Sequence, residues 1–378
     1  MIYLDYAATT PVAREVADIM YQVLTEQFGN PSSQYRIGLE MKKQMELWRK
    51  TVADALDCDP GRLFFTSCGT EGDNWAIQSA LEVNRRRGKH IITTAIEHAA
   101  VLEPCRELER RGYEVTYLEP DRQGNITAAQ VEEAMRPDTA LVSMMLVNNE
   151  LGAILPVGEV AQVIRRTGCP ALLHCDAVQG FLKIPFSPKK LGVDLLTVSG
   201  HKIHAPKGVG ALYVRKGLKL PPLIWGGGQE EGLRSGTEAT AQIAAFAAAA
   251  RLGRQTLEED MAHMARLKEE TVRRLAEEVP KAKLLAQGGA PHILAISLVG
   301  YKSEVVVRFL SDRGVYISSG SACHKGKPSH VFAALKLPKG ERDGVLRISF
   351  SYDTKQEDVD ALIEGLKGAS EKLFPSLS

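Results

Sequence analysis

LLTVSGHKIHAPKGVG, Leu195–Gly210, sets a short apolar run directly before a turn of small, basic and proline residues. LLTVS has the length and near-continuous apolar character of a strand buried on both faces. Lys202 therefore stands at the C-terminal end of a strand, where open α/β sheets hold their ligands. Upstream, ALLHCDAVQG, Ala171–Gly180, repeats the arrangement with Asp176 closing the run. Further apolar runs, LFFT, HIITTA, EVTYL, ALVSMMLV and GALYV, recur between about residues 63 and 215. Segments of helical spacing separate them, around Asp73–Arg86, Val101–Arg111, Ala128–Met135 and Val157–Arg166. Alternating β and α at this spacing predicts an α/β fold with a large, mostly parallel sheet covered on both faces.

The pattern then changes. Ala239–Ala250 is Ala-rich, and a charged, helix-favouring stretch continues to about Glu278. After it come ILAISLV, a helical segment near Glu304–Arg313, VYISS, a helical segment near His330–Leu335, VLRISF and a final amphipathic helix from Lys355. The division read from this is a large α/β domain over residues 16–255 and a small α+β domain over 1–15 and 256–378. No internal repeat or low-complexity tract interrupts either.

The 378 residues are 44% hydrophobic and 25% charged, with a net charge of +1. That content fills real cores, and the near balance gives no reason to expect nucleic acid or an anionic membrane as a partner. No apolar run approaches the ~18 residues of a spanning helix. The opening MIYLDYAATTP lacks a basic segment followed by an apolar one, so no signal peptide is expected. Six cysteines are scattered without CxxC spacing, which reads as reduced thiols in a cytoplasmic globular protein.

The chemistry lies at the strand ends. A lysine such as Lys202, among small residues and histidines, suits a Schiff base with a carbonyl cofactor; the plain alternative is a surface lysine in a turn. Asp176, just past a buried strand, is costly unless it meets a cation or donor, and pyridoxal 5'-phosphate (PLP) needs an acidic partner for its ring nitrogen. It also reads as a helix cap. TSCGTEGDN, Thr66–Asn74, opens a helix with residues that offer N–H and hydroxyl groups to a phosphate, or simply cap that helix. His98, at the end of HIITTAIEH, stands where a ring can stack on a flat cofactor and move protons, or be merely structural. A single thiol, Cys323, lies in SSGSACHKGKPSH beside His324, Lys325 and Lys327. Positive charge there favours the thiolate of a group whose free pKa is about 8.5. The other reading is a solvated basic loop.

YLDYAATTP, FGNPSS, TSCGTEGDN, EHAAV, VNNELG, HCDAVQ, SGHKIHAPKGVG, GGGQEEGLRSGTE and SSGSAC follow one another in the order seen in cysteine desulfurases. From residue 3 to about 352 the chain resembles the NifS/IscS-like group of PLP-dependent transferases, fold type I, aminotransferase class V. The resemblance implies that Lys202 holds PLP and moves the substrate's α proton, that Asp176 binds the ring nitrogen, and that His98 stacks on the ring. It assigns Gln179 and Asn149 to the ring oxygen or substrate, and Gly69, Thr70, Ser199 and His201 to the phosphate. Thr237 would reach the phosphate of the neighbouring subunit of a homodimer. Arg347 and Asn30 would clamp the substrate carboxylate, for which an arginine fork is suited. Cys323 would take the sulfur of L-cysteine as a persulfide, release L-alanine, and pass the sulfur to an acceptor protein, an Fe–S scaffold or a tRNA-thiolation enzyme.

Three departures stand out. The segment after Cys323 is shorter and more basic than in typical members, which implies less reach. Glu231 stands where a basic residue is usual, and Cys68 lies in the phosphate loop. The competing readings are a selenocysteine lyase or another class-V PLP enzyme, and a thiol or metal module of Cys323, His324 and His330. A plain transaminase needs no thiol, and those three ligands lack zinc-like spacing, so no metal site is expected.

Overall fold

A computed structural model describes residues 1–286, 289–319 and 329–375. The chain opens with β1 (Ile2–Tyr3), then two helices, α1 (Arg14–Thr25) and α2 (Arg36–Leu56). Strand and helix then alternate through β2 (Leu63–Thr66), α3 (Gly69–Val83), β3 (His90–Thr94), α4 (Ala99–Arg110), β4 (Glu114–Leu118) and α5 (Ala128–Ala134). They continue through β5 (Thr139–Met145), α6 (Val157–Thr167), β6 (Leu172–Asp176), the short α7 (Pro188–Leu191), β7 (Leu195–Ser199) and β8 (Gly210–Val214). Beyond α8 (Thr240–Glu278) lie β9 (Ala282–Leu284), β10 (Ile293–Leu298), α9 (Ser303–Ser311), β11 (Val315–Tyr316) and β12 (Ser318–Ser319). The last elements are α10 (His330–Ala334), α11 (Lys339–Arg342), β13 (Val345–Ser349) and α12 (Gln356–Lys372).

Seven strands form the main sheet in the order β2-β8-β7-β6-β5-β3-β4. Only β8 runs against its neighbours, pairing antiparallel with both β2 and β7. Every residue of β5, β6 and β7 is buried, as a parallel sheet covered by helices on both faces requires. The expected large, mostly parallel sheet is therefore present, and the antiparallel β8 is the strand its sequence did not distinguish.

A second, four-stranded antiparallel sheet has the order β12-β13-β10-β9, and β1 pairs with β11 beside it. Its core includes Leu4, Leu294, Ile296, Leu346, Ile348, Leu362 and Leu366, separate from the core around the main sheet. The 39-residue α8 runs from one core to the other: Ala245–Ala250 belong to the first, Met264, Leu267 and Leu275 to the second. Residue 255, where the composition changes, thus falls inside a helix rather than in a linker. Among the described residues no helix is long and apolar enough to cross a membrane.

Close backbone approach at the start of β8 needs a glycine. A Cβ on Gly210 would stand 2.7 Å from the Val198 carbonyl and 3.1 Å from the Cys68 backbone carbon. Gly210→Ala should cost about 1–3 kcal/mol in denaturant unfolding, because backbone on both sides must move. Gly158→Ala in α6, where a Cβ meets nothing within 4 Å, should instead be neutral or gain roughly 0.5–1 kcal/mol.

Candidate active site

β6 and β7 are parallel neighbours with Asp176 opposite Thr197, so both strands end at the same edge of the sheet. Asp176 closes β6, and Lys202 follows β7 by three residues. A cavity of about 380 Å³ opens at this edge. It is lined by Lys202, Asp176, His98, Gln179, Gly69, Thr70, Asn149, Ser199, His201 and Arg347, so the fold brings these ten sequence-derived candidates together. Asn30 and Thr237 are not among its walls. Asn30 is exposed and its amide oxygen accepts from the Ser32 N–H, while Thr237 is exposed beside Glu238. Cys323, with His324, Lys325 and Lys327, lies outside the described residues.

The N-terminal segment forms one wall. The Lys202 amine donates to the carbonyls of Ala7 (2.6 Å) and Ala8 (2.8 Å), and the Gln179 amide donates to Ala7 (2.9 Å). His201 Nδ1 lies 3.1 Å from the Thr9 hydroxyl. Arg347, on β13, donates to the Asp5 carboxylate (2.7 Å) and the Asn149 carbonyl (2.8 Å), and its buried Nε has no hydrogen bond among the described residues. The substrate-clamp candidate is thus already engaged by an acidic residue of the chain.

Opposite, α3 presents its N-terminus through Gly69 and Thr70. The first turn of a helix has N–H groups without internal partners and the positive end of the dipole. Cys68 precedes it as N-cap and its side chain caps nothing, so these donors are available to an anion. Ser199 Oγ, buried at the same wall, has no hydrogen-bond partner among the described residues. A Cβ on Gly69 would stand 2.8 Å from Val178 Cγ2, so the glycine keeps this approach close. Helix N–H groups, an orphaned hydroxyl, an amine and a buried carboxyl fit the phosphate, carbonyl and ring nitrogen of PLP.

Burial shapes the protonation states. Asp176 is pushed up to about 7 by burial and by Asp73, with His98 pulling the other way. His98 is lowered by burial first, and its Nδ1 accepts the Ala100 N–H (3.1 Å). A neutral ring that accepts at Nδ1 carries its proton on Nε2. His201 is pushed down to about 4 by burial and then by Lys202. Glu97 is fully buried; Oε1 accepts from the Thr94 hydroxyl (2.8 Å) and the Met145 N–H (3.0 Å), while Oε2 has no partner among the described residues. Burial raises it to about 8.

Several cavity residues escaped the sequence reading: Asp5, Asp73, Glu150 and His330. Asp73 lies within the quoted TSCGTEGDN and Asp5 within YLDYAATTP, so the motifs contained them without signalling their direction. His330 was read only as a metal ligand. Its Nε2 lies 2.8 Å from the Glu97 carbonyl, which only accepts, so this nitrogen carries the proton. Glu231 is exposed, with φ of 57°, and next to it the buried Glu230 accepts from both Arg49 amines (2.7 and 2.8 Å), anchoring the loop that carries Thr237. Among the described residues no group of three or more His, Cys, Asp or Glu is arranged to hold a metal.

The aminotransferase class-V family model matches residues 2–362. The chain therefore belongs to the class-V aminotransferases, a family that in general depends on PLP. It is 41% identical to a cysteine desulfurase IscS of Methanosarcina thermophila, covering 98% of this chain and 92% of that protein. A cysteine desulfurase IscS of Clostridium botulinum is 38% identical over 97% of this chain and 93% of its own length. A solved NifS-like protein superposes with a TM-score of 0.93 at 37% identity, covering 98% of this chain and 100% of that one. SspA, solved in complex with cysteine, gives a TM-score of 0.80 at 35% identity over 93% of this chain and 99% of its own. Within its family the chain belongs to the cysteine desulfurases.

The buried carboxyls make stability fall with rising pH. Glu97 holds its proton in the folded chain up to about 8 but ionises in the unfolded chain near its ordinary value. The stability it contributes is therefore complete below the unfolded value and lost as pH rises toward 8. Relative to wild type, Glu97→Gln should gain on the order of 1 kcal/mol per pH unit between about pH 5 and pH 8, read from urea midpoints.

Proposed function

We propose that this chain converts L-cysteine to L-alanine, with the sulfur captured at Cys323 and passed on to a protein acceptor. The observation that carries this reading is the meeting of Lys202, Asp176 and the α3 N-terminus in one cavity. Lys202 would hold PLP by its carbonyl, Asp176 by its ring nitrogen, and Gly69, Thr70, Ser199 and His201 by its phosphate. When bound, PLP supplies an electron sink for the bond changes at the substrate. Gln179 would hydrogen-bond the ring oxygen, and His98, with its proton on Nε2, would stack on the ring.

The chain's own groups do the remaining work. Arg347 receives the substrate carboxylate, exchanging Asp5 for it, with Asn149 alongside. The Lys202 amine, once released from holding PLP, would take the α proton. The Cys323 thiolate attacks the substrate sulfur, an S–S bond forms as the substrate's Cβ–S bond breaks, and proton return completes alanine. Basic neighbours His324, Lys325 and Lys327 favour the thiolate. The acceptor is an Fe–S scaffold or a tRNA-thiolation enzyme, and the five described cysteines, all unpaired, suit a cytoplasmic setting.

Lys202→Ala should abolish the visible absorption of the purified protein. Cys323→Ser should keep that absorption while losing sulfide release and alanine formation from L-cysteine. Wild-type rates in the second variant would show the nucleophile to be elsewhere. L-selenocysteine run beside L-cysteine separates the lyase reading, in which Cys323→Ser keeps selenide release.

The working form is read as a homodimer. Tyr21, Leu24, Phe28, Tyr35, Leu39, Leu47 and Trp225 are all exposed, on or beside α1, α2 and the loop before Thr237. So many large apolar side chains left in water on neighbouring segments of the chain are costly, and a second copy is the occupant that fits them. Thr237 and Asn30, outside their own cavity, then have a partner's site within reach. Leu24→Asp with Leu47→Asp should turn a dimer into a monomer in gel filtration; a variant that remains dimeric places the interface on another face.

A further inference from the structure

Behind Asp176 lies a connected group of buried polar residues with no part in the reaction described above. His174, two residues before Asp176 on β6, faces the same side of the sheet. Its Nδ1 is 2.9 Å from Ser143 Oγ on β5, and its Nε2 is 3.1 Å from Thr197 Oγ1 on β7. The same Nε2 is 3.4 Å from Asp73 Oδ1 on α3. Gly72 allows that approach, since a Cβ there would stand 2.6 Å from Thr197 Cγ2. Asp73 is 1% exposed, and its Oδ1 has no hydrogen bond among the described residues. Asp73 and Asp176 both line the cavity.

Two carboxyls in one buried site compete for ionisation, since the first charge opposes the second. Burial pushes Asp73 up to about 7 against the pull of the Thr197 hydroxyl, and Asp73 in turn raises Asp176. His174, pushed down to about 4 by burial, is neutral and brings no compensating charge. The other titratable groups around the pair are Glu97, held protonated between β3 and α4, the Cys175 thiol on β6, kept neutral by burial, His98 at the start of α4, which favours the Asp176 anion, and the Lys202 amine, which lines the same cavity and is held by the Ala7 and Ala8 carbonyls.

We propose that Asp73 is a positioning residue that, across His174 and Thr197, governs the charge on Asp176 and so the pH range in which the cavity grips a protonated pyridine ring. This rests on the PLP reading above. Below neutrality the wild-type pair is protonated, and a ring nitrogen meets a neutral acid. Replacing Asp73 with asparagine removes the competing carboxyl, so Asp176 ionises at lower pH. In alkaline solution the wild type has two negative charges near the ring and the variant one, so the variant's advantage disappears.

The test compares the cofactor-free chain with Asp73→Asn, using PLP itself as the probe in equilibrium dialysis. The variant should bind roughly three- to tenfold tighter at about pH 6 and no tighter at about pH 8.5. Infrared titration of the cofactor-free carboxyls should show a lower midpoint for the remaining aspartate. Thr197→Val removes the hydroxyl that favours Asp73 ionisation and should act in the same direction, which keeps the test open if Asp73→Asn does not fold. A variant-to-wild-type affinity ratio that stays constant with pH overturns the proposal, whatever its value. If neither chain binds PLP at any pH, the cofactor reading fails instead; the infrared midpoint then decides the coupling, and an unchanged midpoint overturns it.

Discussion

The parallel pairing of β6 with β7 is the constraint on which the rest of the molecule depends. With Asp176 held opposite Thr197, a carboxyl and, one short turn later, the Lys202 amine emerge at the same sheet edge. The amine is satisfied by two carbonyls of the N-terminal segment, and Gln179 bonds one of the same carbonyls. That segment is also tied to the second sheet, where Ser349 Oγ accepts the Ala7 N–H (2.9 Å). A few hydrogen bonds around residues 5–9 therefore join the strand ends of one sheet to the arginine of the other. The cavity is the space left between them.

Its electrostatics follow from depth. Asp73, Glu97 and Asp176 are buried close to one another, and no lysine or arginine forms an ion pair with any of them among the described residues. Isolated charges in such a place cost several kcal/mol, so protonation is the cheaper state until a cation arrives. A protonated pyridine ring is such a cation. The site spends stability to keep a carboxyl ready for it, as functional sites often do.

Much of this was legible in the sequence, for physical reasons. Strands buried on both faces read as continuous apolar runs, and LFFT, HIITT, LLTVS and GALYV appear within a residue of their observed limits. Lys202 and Asp176 follow such runs directly, so their place at the sheet edge needed no tertiary knowledge. β8 turns back on β7 through the connection at residues 200–209, and an apolar run carries no sign of direction. The partnership of Arg347 with Asp5 spans 342 residues and has no local signature. Asp73 lies within the quoted TSCGTEGDN, in the second turn of α3; its role depends on Gly72 letting α3 approach Thr197, a matter of packing. Asn30 and Thr237 came from resemblance alone, and a single chain leaves both outside its own cavity.

Intact-mass and peptide analysis after brief exposure to one equivalent of L-cysteine tests the central claim most directly. The desulfurase reading predicts one added sulfur atom on the peptide carrying Cys323, removed by a thiol reductant and formed in step with alanine. Alanine formed with no sulfur on that peptide, or with the sulfur on another cysteine, would contradict it.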